Sequence, residues 1–343
     1  MTAPAASGAM AAVFGCAGPV LLPDEAAFFR DCEPLGFILF ARNCESPAQI
    51  QRLTNDLRTA VGRDEAPVLM DHEGGRVQRL APPQWRKVPA AAEFGRLASV
   101  DPAAAIEAAA LNGQLMALEL SALGVDVNCV PCLDVADPAG HKVIGDRAFA
   151  SDANMVARLG RAQAQGLGQG GVLPVIKHMP GHGRATVDSH LEMPIVDATR
   201  EELSKRDFSP FAALADLPLG MTAHVLYPAL DPDNPATLSP NIIGEVIRGH
   251  SGVEGLLFTD DLSMQALGGD IGQRAAKALA AGCDVALHCN GKADEMQAVA
   301  AACRPLSADG QKRWQQARSW CKPAQLADYD DILGQFMTRM DLG

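Results

Sequence analysis

Residues able to do acid–base or nucleophilic chemistry collect in a few short stretches of this chain. The densest is the run KHMPGHG at residues 177–183, which is followed by Asp188, Ser189 and His190. Three histidines, a lysine and an aspartate thus fall within 14 residues of a loop rich in glycine and proline, which favours a functional loop over a simple turn. A carboxylate two residues from an imidazole can hydrogen-bond one ring nitrogen and leave the other to exchange a proton. The pair Asp188 and His190 therefore suits a general acid/base.

Two patterns in the chain could instead hold a metal ion or a redox pair. A zinc site formed by His178, His182 and His190 is one alternative, although their spacing matches no familiar ligand pattern and no thiolate lies nearby. The second pattern, Cys129-x-x-Cys132, continues a predicted core strand, which favours buried structural thiols over a redox pair. We expect neither a metal ion nor an organic cofactor.

Acidic and basic residues that could bind a polar ligand form two further stretches. In DHEGGRVQR at residues 71–79, Asp71 can accept hydrogen bonds from hydroxyl groups and Arg79 offers a forked donor. This combination suits a polyol or a carboxylate-bearing ligand. Arg147 lies in VIGDRAF at residues 143–149, where an exposed salt bridge is an equally good interpretation.

A candidate nucleophile lies in the stretch FTDDLSM at residues 258–264. Asp260 closes an apolar run, where a carboxylate would be costly to bury unless it faced a polar pocket. Asp260 is therefore the first choice for a nucleophile opposite the histidine-rich loop, and its neighbour Asp261 is the second.

Eight short apolar or β-branched runs alternate with helical stretches along the chain. Crossovers of this length join parallel strands, so the order predicts an α/β fold, a single-domain (β/α)8 barrel, with an open doubly wound sheet as the alternative. The predicted strands are Val13–Cys16, Phe37–Phe40, Val68–Asp71, Val125–Val130, Leu173–His178, Gly220–His224, Gly255–Asp260 and Cys283–His288. The predicted helices are one containing Ile50, Leu53, Leu57 and Val61, then Ala103–Leu123, Ala153–Leu167, Arg200–Ala215, Pro240–Gly249 and Ile271–Ala281.

The chain reads as one catalytic domain over residues 1–343. No low-complexity segment, sequence repeat or long linker divides it. From about residue 303, a tail that contains Trp314, Trp320, Ile332 and Leu333 is expected to form helices that pack on the barrel.

Polar residues recur where the predicted strands end. The carboxyl ends of barrel strands converge on one face, and that face carries the active site in enzymes of this architecture. Any one of these residues could simply be a hydrogen-bonded group that closes its strand, but their clustering predicts an active site. They are Asp71, Asp126, Asn128, Lys177, His178, His224, Asp260, Asp261 and His288.

Composition excludes several classes of protein. The 29 basic and 41 acidic residues give a formal net charge of −12, which argues against a nucleic-acid or anionic-membrane binder. The opening residues lack the basic region of a secretory signal, and the longest apolar stretch, at about residues 11–22, is interrupted and too short for a membrane span. Nine scattered cysteines fit reduced thiols. We expect a cytoplasmic, monomeric protein.

Taken together and in this order, these stretches resemble the family 3 glycoside hydrolases. Within that family they are most similar to single-domain bacterial β-N-acetylhexosaminidases of cell-wall recycling. The matching stretches are Gly36–Phe40, Asp71–Arg79, Gly145–Phe149, the KHMPGHG run with its DSH, and Thr259–Met264. The resemblance implies a (β/α)8 barrel, a retaining mechanism, and a muropeptide substrate in which N-acetylglucosamine is β-1,4-linked to 1,6-anhydro-N-acetylmuramic acid.

The resemblance also implies a role for each matched residue. Asp260 would be the nucleophile, and His190 the acid/base assisted by Asp188. The N-acetylglucosamine would be bound by Asp71, Arg79, Arg147, Lys177 and His178. Because the histidine-rich loop offers no second carboxylic acid other than Asp188, a histidine-based variant of the usual two-carboxylate mechanism is expected.

This sequence departs from the family pattern at three positions. His72 stands where a glutamine is usual, Met179 where a phenylalanine is usual, and Ala148 where relatives often have a serine. None removes a proposed catalytic group, although Met179 would change how its loop packs. The alternatives to a hydrolase are a phosphorylase that uses the same histidine and aspartate, a metal-dependent hydrolase and a sugar-binding barrel without activity.

Overall fold

Eight parallel strands form one closed barrel. The computed structural model describes residues 8–187, 189, 192–321 and 328–341. Each strand pairs with the next along the chain, and β8 pairs with β1, so the predicted (β/α)8 barrel is confirmed over the open sheet. The strands are β1 (Met10–Gly15), β2 (Pro34–Leu39), β3 (Val68–Met70), β4 (Val127–Asn128), β5 (Leu173–Met179), β6 (Leu219–Thr222), β7 (Leu256–Asp261) and β8 (Val285–His288).

Helices follow the strands and surround the barrel. They are α1 (Pro23–Cys32), α2 (Pro47–Val61), α3 (Ala91–Ala98), α4 (Pro102–Ser121), α5 (Ala153–Gln169), α6 (Arg200–Lys205), α7 (Ser209–Ala213), α8 (Ile271–Ala281), α9 (Ala293–Ala302), α10 (Ala308–Trp320) and α11 (Tyr329–Met340). A π-helix covers Ile242–His250, and single 3-10 turns cover Ala41–Asn43, Gly145–Arg147 and Ala236–Leu238.

Helix α2 shows how local sequence sets these elements. The Ser46 side chain accepts the backbone N–H of Gln49, which satisfies one of the free amides of the first turn and contributes about 1 kcal/mol. Pro47 follows at the first helical position, where it loses no helical hydrogen bond. Gly62 ends the helix with a φ of 62°, in the left-handed region that glycine adopts freely. The face between these ends is buried, as its apolar spacing predicts: Ile50, Leu53, Leu57 and Val61.

Some predicted bounds differ from those in the structure. Strand β4 pairs over two residues only, whereas residues 125–130 were predicted. The helix predicted at 200–215 is two short helices, α6 and α7, because Pro210 lacks an amide hydrogen and starts a new helix. The helix predicted at 240–249 is the π-helix.

The core has two layers because alternate strand residues face opposite sides. In β1, for example, Val13 belongs to the cluster inside the barrel, and Phe14 to the cluster between strands and helices. Leu306 and Trp314 join the inner cluster beside residues at the beginnings of the strands. The residues around α10 therefore pack against the amino-terminal end of the barrel, while the opposite end carries the polar residues.

All nine cysteines are free thiols. Cys129 is buried inside the barrel, and the buried Cys132 lies within hydrogen-bonding distance of a carboxylate oxygen of Asp134, at 3.2 Å. Burial raises the pKa of both thiols well above the ordinary value, so they stay protonated, as structural thiols do. In the part of the chain that the structure describes, no helix is long and apolar enough to span a membrane.

Candidate active site

A polar cavity of about 240 Å³ opens at the carboxyl ends of the strands. Its wall contains six of the residues that the sequence singled out: Asp71, Arg79, Arg147, Lys177, His178 and Asp260. They come from the carboxyl ends of β3, β5 and β7 and from the loops after β3 and β4, far apart in the chain. The barrel thus brings these residues together on one face, as the strand-end rule predicts.

Asp188 and His190, the predicted acid/base pair, lie outside the described residues. Ser189, which separates them in the chain, is buried and lines the same cavity. Its hydroxyl lies 3.3 Å from Nε2 of His182, and its carbonyl accepts the backbone N–H of Ala266 in the loop after β7. Ser189 is therefore held against the cavity wall by these two contacts.

Asp260 lies at the end of β7, where its Oδ1 accepts the backbone N–H of Asp261 at 2.8 Å. Burial raises the pKa of Asp260, but the imidazoles of His178 and His224, the Asp261 amide and the Lys177 ammonium together lower it further than burial raises it. Its net pKa is below the ordinary value for an aspartate. Asp260 is therefore ionised at neutral pH, as a nucleophilic carboxylate must be.

The Asp261 carboxylate accepts hydrogen bonds from the chain segments that follow β7 and β8. Its Oδ1 accepts the backbone amides of Ser263 and Cys289, at 3.0 and 3.1 Å, and its Oδ2 accepts the Ser263 hydroxyl at 2.6 Å. Its carbonyl receives His224 Nε2 at 2.9 Å. These bonds use both carboxylate oxygens to fix the chain after β7, which leaves Asp260 as the better placed of the two candidates.

Lys177 is the buried cation of the site. Its Nζ lies 2.6 Å from Asp71 and 2.7 Å from Glu73, and its side chain is only 2% exposed. Burial lowers the pKa of Lys177, but the two carboxylates raise it more, so the ammonium stays charged. Lys177 therefore fixes Asp71 in position while it remains a hydrogen-bond donor at the cavity wall.

Two arginines complete the cationic side of the cavity. Arg147 forms a bidentate pair with Glu73, with N···O distances of 2.7 and 2.8 Å. The pair lies inside the site, so it is not the exposed salt bridge that was the alternative. Arg79 lies 3.5 Å from Asp71 and stacks over the Phe40 ring at 4.9 Å from its centroid. Each guanidinium is thus fixed in orientation by a second contact.

Sequence analysis missed two acids of this site, Glu73 and Asp134. Glu73 sits two residues after Asp71 and was passed over within the same stretch. Asp134 is fully buried, and its Oδ2 lies 2.7 Å from His178 Nδ1. It lies on the loop after β4, which ends at Asn128, rather than at the strand end itself, so the strand-end rule did not reach it.

Other strand-end candidates lie away from the cavity or act through the backbone. Asp126 pairs with Arg58 at 2.6 Å at the amino-terminal end of the barrel. Its predicted position within β4 was wrong, because β4 begins at Val127 rather than at Val125. Asn128 exchanges hydrogen bonds with the backbone of His72. His288 lies buried 3.2 Å from Glu295.

The three departures from the family pattern occupy buried positions. Burial lowers the pKa of His72 to about 3, so its ring is neutral. Met179 ends β5 and packs against Gly220. Ala148 joins Val143 and Ile144 in a small apolar cluster beside Arg147.

A metal-ligand geometry occurs within the described residues at Cys132, Asp134 and His178, whose donor atoms lie within 4.8 Å of one another. The Asp134 carboxylate is within hydrogen-bonding distance of both the thiol and the imidazole, which accounts for the cluster without an ion. The zinc alternative placed His178 with His182 and His190 instead. His178 and His182 point to different partners, since His182 Nε2 faces Ser189 and His178 Nδ1 faces Asp134.

The buried charges make stability depend on pH. Burial raises the pKa of Glu73, but the charges and hydrogen bonds of Arg147 and Lys177 together lower it more, so its net pKa is below the ordinary value of 4.5. Its contribution to stability is therefore complete above pH 4.5 and is lost as the pH falls from there towards the lower, folded-state value. We expect Glu73→Gln to cost about 3 kcal/mol at pH 7.

The measurement is urea unfolding between pH 7 and pH 3. The variant should lose less stability than the wild type on acidification, because it lacks this titrating group. Glu245→Gln, at an exposed ion pair with Arg200, is the control and should change stability by less than about 0.5 kcal/mol. Parallel pH profiles for the wild type and Glu73→Gln would contradict the assigned pKa direction.

Sequence comparison identifies the family. The pattern of the glycosyl hydrolase family 3 N-terminal domain matches residues 26–316. The chain belongs to glycoside hydrolase family 3. It is therefore a glycoside hydrolase, and the resemblance drawn from its motifs is confirmed.

Two curated relatives of this hydrolase carry the same name. A β-hexosaminidase of Bordetella avium is 44% identical over 259 residues, which cover 74% of this chain and 73% of that protein. A β-hexosaminidase of Methylobacillus flagellatus is 42% identical over 269 residues, covering 77% and 76%.

Solved structures extend the similarity over nearly the whole hydrolase. NagZ from Neisseria gonorrhoeae, in complex with N-trifluoroacetyl-D-glucosamine, superposes with a TM-score of 0.86 at 31% identity and covers 98% of both chains. A β-N-acetylhexosaminidase from Beutenbergia cavernae superposes with a TM-score of 0.72 at 27% identity, covering 96% of this chain and 95% of that one.

Proposed function

We propose that this hydrolase is a retaining exo-β-N-acetylglucosaminidase that removes the terminal sugar from N-acetylglucosaminyl-β-1,4-anhydro-N-acetylmuramic acid muropeptides. It would act as a cytoplasmic monomer in peptidoglycan recycling. The observation that carries the proposal is the position of Asp260 at the end of β7, in a cavity whose other walls present hydroxyl-binding groups. The name β-hexosaminidase, carried by the relatives from Bordetella avium and Methylobacillus flagellatus, supports the acetamido sugar.

The cavity supports removal of one sugar at a time. Its volume of about 240 Å³ has room for a single sugar ring rather than for a chain of them. Asp71 accepts hydrogen bonds from sugar hydroxyls in this proposal, while Lys177 and Arg147 donate them. These groups are already oriented by one another, so binding requires little further ordering of side chains.

In the first chemical step, the Asp260 carboxylate attacks the anomeric carbon. The bond from that carbon to the aglycone oxygen breaks through an oxocarbenium-like transition state, and protonated His190 gives its proton to the departing oxygen. The product is a glycosyl ester on Asp260 and a neutral His190. Asp188, two residues away, stabilises the charged imidazolium and so favours the proton-donating form.

In the second step, neutral His190 removes a proton from water, which attacks the same carbon from the side that the aglycone left. The ester bond to Asp260 breaks, and the sugar is released with its β configuration restored. An imidazole with a pKa of about 6.5 can serve as acid and then as base near neutral pH.

The test is release of p-nitrophenol from p-nitrophenyl β-N-acetylglucosaminide, with the β-glucoside as control, in phosphate-free buffer and with added phosphate. We expect turnover of the acetamido sugar alone, at a rate that phosphate does not change. Acceleration by phosphate would identify a phosphorylase instead. Loss of activity with a chelator would point to a metal-dependent enzyme, and absence of turnover throughout would contradict the proposal.

A further inference from the structure

Asp134 has hydrogen-bonding partners at both carboxylate oxygens and lies beside the cavity. It is fully buried, and its Oδ1 accepts the backbone N–H of His182 at 2.6 Å and that of His178 at 3.3 Å. Its Oδ2 faces Nδ1 of the His178 ring at 2.7 Å and the thiol of Cys132 at 3.2 Å. Asp134 does not line the cavity, so any effect on a substrate must pass through another residue.

The other nitrogen of His178 shows what Asp134 does. His178 Nε2 lies 3.2 Å from Nη2 of Arg147, and a guanidinium can only donate. Nε2 must therefore accept this hydrogen bond, which leaves the ring proton on Nδ1. An ionised carboxylate at Nδ1 stabilises that tautomer, because it can only accept.

The tautomer matters because His178 lines the cavity. With the proton on Nδ1, the nitrogen nearest Arg147 is an acceptor, and Arg147 can bond Glu73 and His178 together. With the proton on Nε2, two donors would face each other at 3.2 Å, and either His178 or Arg147 would have to move.

We propose that Asp134 is a positioning residue of the active site, which holds His178 in the Nδ1–H tautomer so that Nε2 accepts from Arg147. In its consequence for catalysis this inference rests on the proposed function, since His178 binds the sugar there. Asp134 acts through His178 and touches no substrate.

The direct test is nitrogen NMR of the protein labelled with 15N-histidine, with the His178 signals assigned by comparison with His178→Ala. The wild type should show a protonated Nδ1 and an unprotonated Nε2 at residue 178. In Asp134→Asn, the retained oxygen can still accept the His182 amide, but an NH2 group then faces Nδ1, so the proton should move to Nε2. An Nε2–H tautomer in the wild type would overturn the proposal, and this result does not depend on whether the variant folds.

The kinetic test separates positioning from simple support of the loop. Asp134→Asn should lower kcat/KM for p-nitrophenyl β-N-acetylglucosaminide about 100-fold, mainly through a higher KM. In a His178→Ala background the same substitution should cost no more than about 3-fold, because the group that it controls is gone. An equal loss in both backgrounds would show that Asp134 merely supports the loop, and would overturn the proposal.

The matched control is Asp137→Asn. Asp137 is a nearby aspartate that pairs with Arg206 and does not contact His178. Asp137→Asn should leave both the His178 tautomer and kcat/KM unchanged. If the wild type has no hexosaminidase activity, the proposed function fails, and the NMR experiment still decides the role of Asp134. If the wild type is active and Asp134→Asn keeps both the tautomer and the rate, only the proposal about Asp134 fails.

Discussion

Replacing Asp260 with alanine is expected to lower kcat for p-nitrophenyl β-N-acetylglucosaminide by at least about 10,000-fold. The carboxylate is the only group proposed to bond the anomeric carbon, and alanine supplies neither a nucleophile nor a charge to stabilise the oxocarbenium-like state. Steady-state rates measure the loss, and mass spectrometry of the variant under turnover should detect no glycosyl-enzyme.

Asp261→Asn is the matched control for Asp260. The amide can keep one oxygen on the Ser263 and Cys289 amides, so we expect a loss of stability and less than about a 10-fold loss of kcat. Circular dichroism and urea unfolding would verify that both variants fold. Appreciable turnover by Asp260→Ala, together with an inactive but folded Asp261→Asn, would move the nucleophile to Asp261.

Replacing His190 with alanine is expected to separate substrates by the acidity of their leaving groups. For the muropeptide, whose alcohol leaving group needs a proton, kcat/KM should fall about 1,000-fold. For an aryl glycoside with a very acidic phenol, little proton donation is needed, and formation of the glycosyl-enzyme should slow by less than about 10-fold.

The second half of the reaction provides the control for His190. Without a base, the glycosyl-enzyme of His190→Ala should accumulate and give a burst of phenol, and azide, which needs no deprotonation, should speed turnover and yield the β-glycosyl azide. Equal losses on both classes of substrate, with no effect of azide, would show that His190 is not the acid/base.

The barrel could be predicted because its signals are local. Apolar runs separated by helical stretches of sufficient length leave parallel pairing as the main solution, and the boundary signals of α2 at Ser46 and Gly62 lie in the sequence itself. The same reasoning located Asp71, Lys177 and Asp260, because each lies near the carboxyl end of a strand whose apolar run is clear. Where the apolar run was less clear, as in β4, the predicted strand was longer than the observed one, and Asp126 was assigned to the wrong end of the barrel.

The pairings inside the site could not be predicted, because they join distant parts of the chain. Glu73 meets Arg147 across 74 residues, and Asp134 meets His178 across 44. Nothing in the local sequence distinguishes these acids from an exposed Asp or Glu. Only closure of the barrel removes them from water and makes a partner necessary.

The substrate and the roles of the residues rest on different grounds from the fold and the pairings inside the site. The residues alone indicated a polyol site with a nucleophile and an acid/base, and left zinc and phosphorylase chemistry open. The muropeptide came from the resemblance alone, and the relatives add only the name β-hexosaminidase. Asp260 as the nucleophile of a retaining enzyme is therefore the central claim to test.

The most direct test is to trap the glycosyl-enzyme with 5-fluoro-N-acetylglucosaminyl fluoride, whose ring fluorine slows both steps while the good leaving group keeps the first accessible. Intact mass spectrometry should show one added sugar per chain, and peptide mapping should place it on Asp260; Asp260→Ala should take up none. An adduct on another residue, or α-configured sugar as the first product in proton NMR, would contradict the retaining mechanism through Asp260.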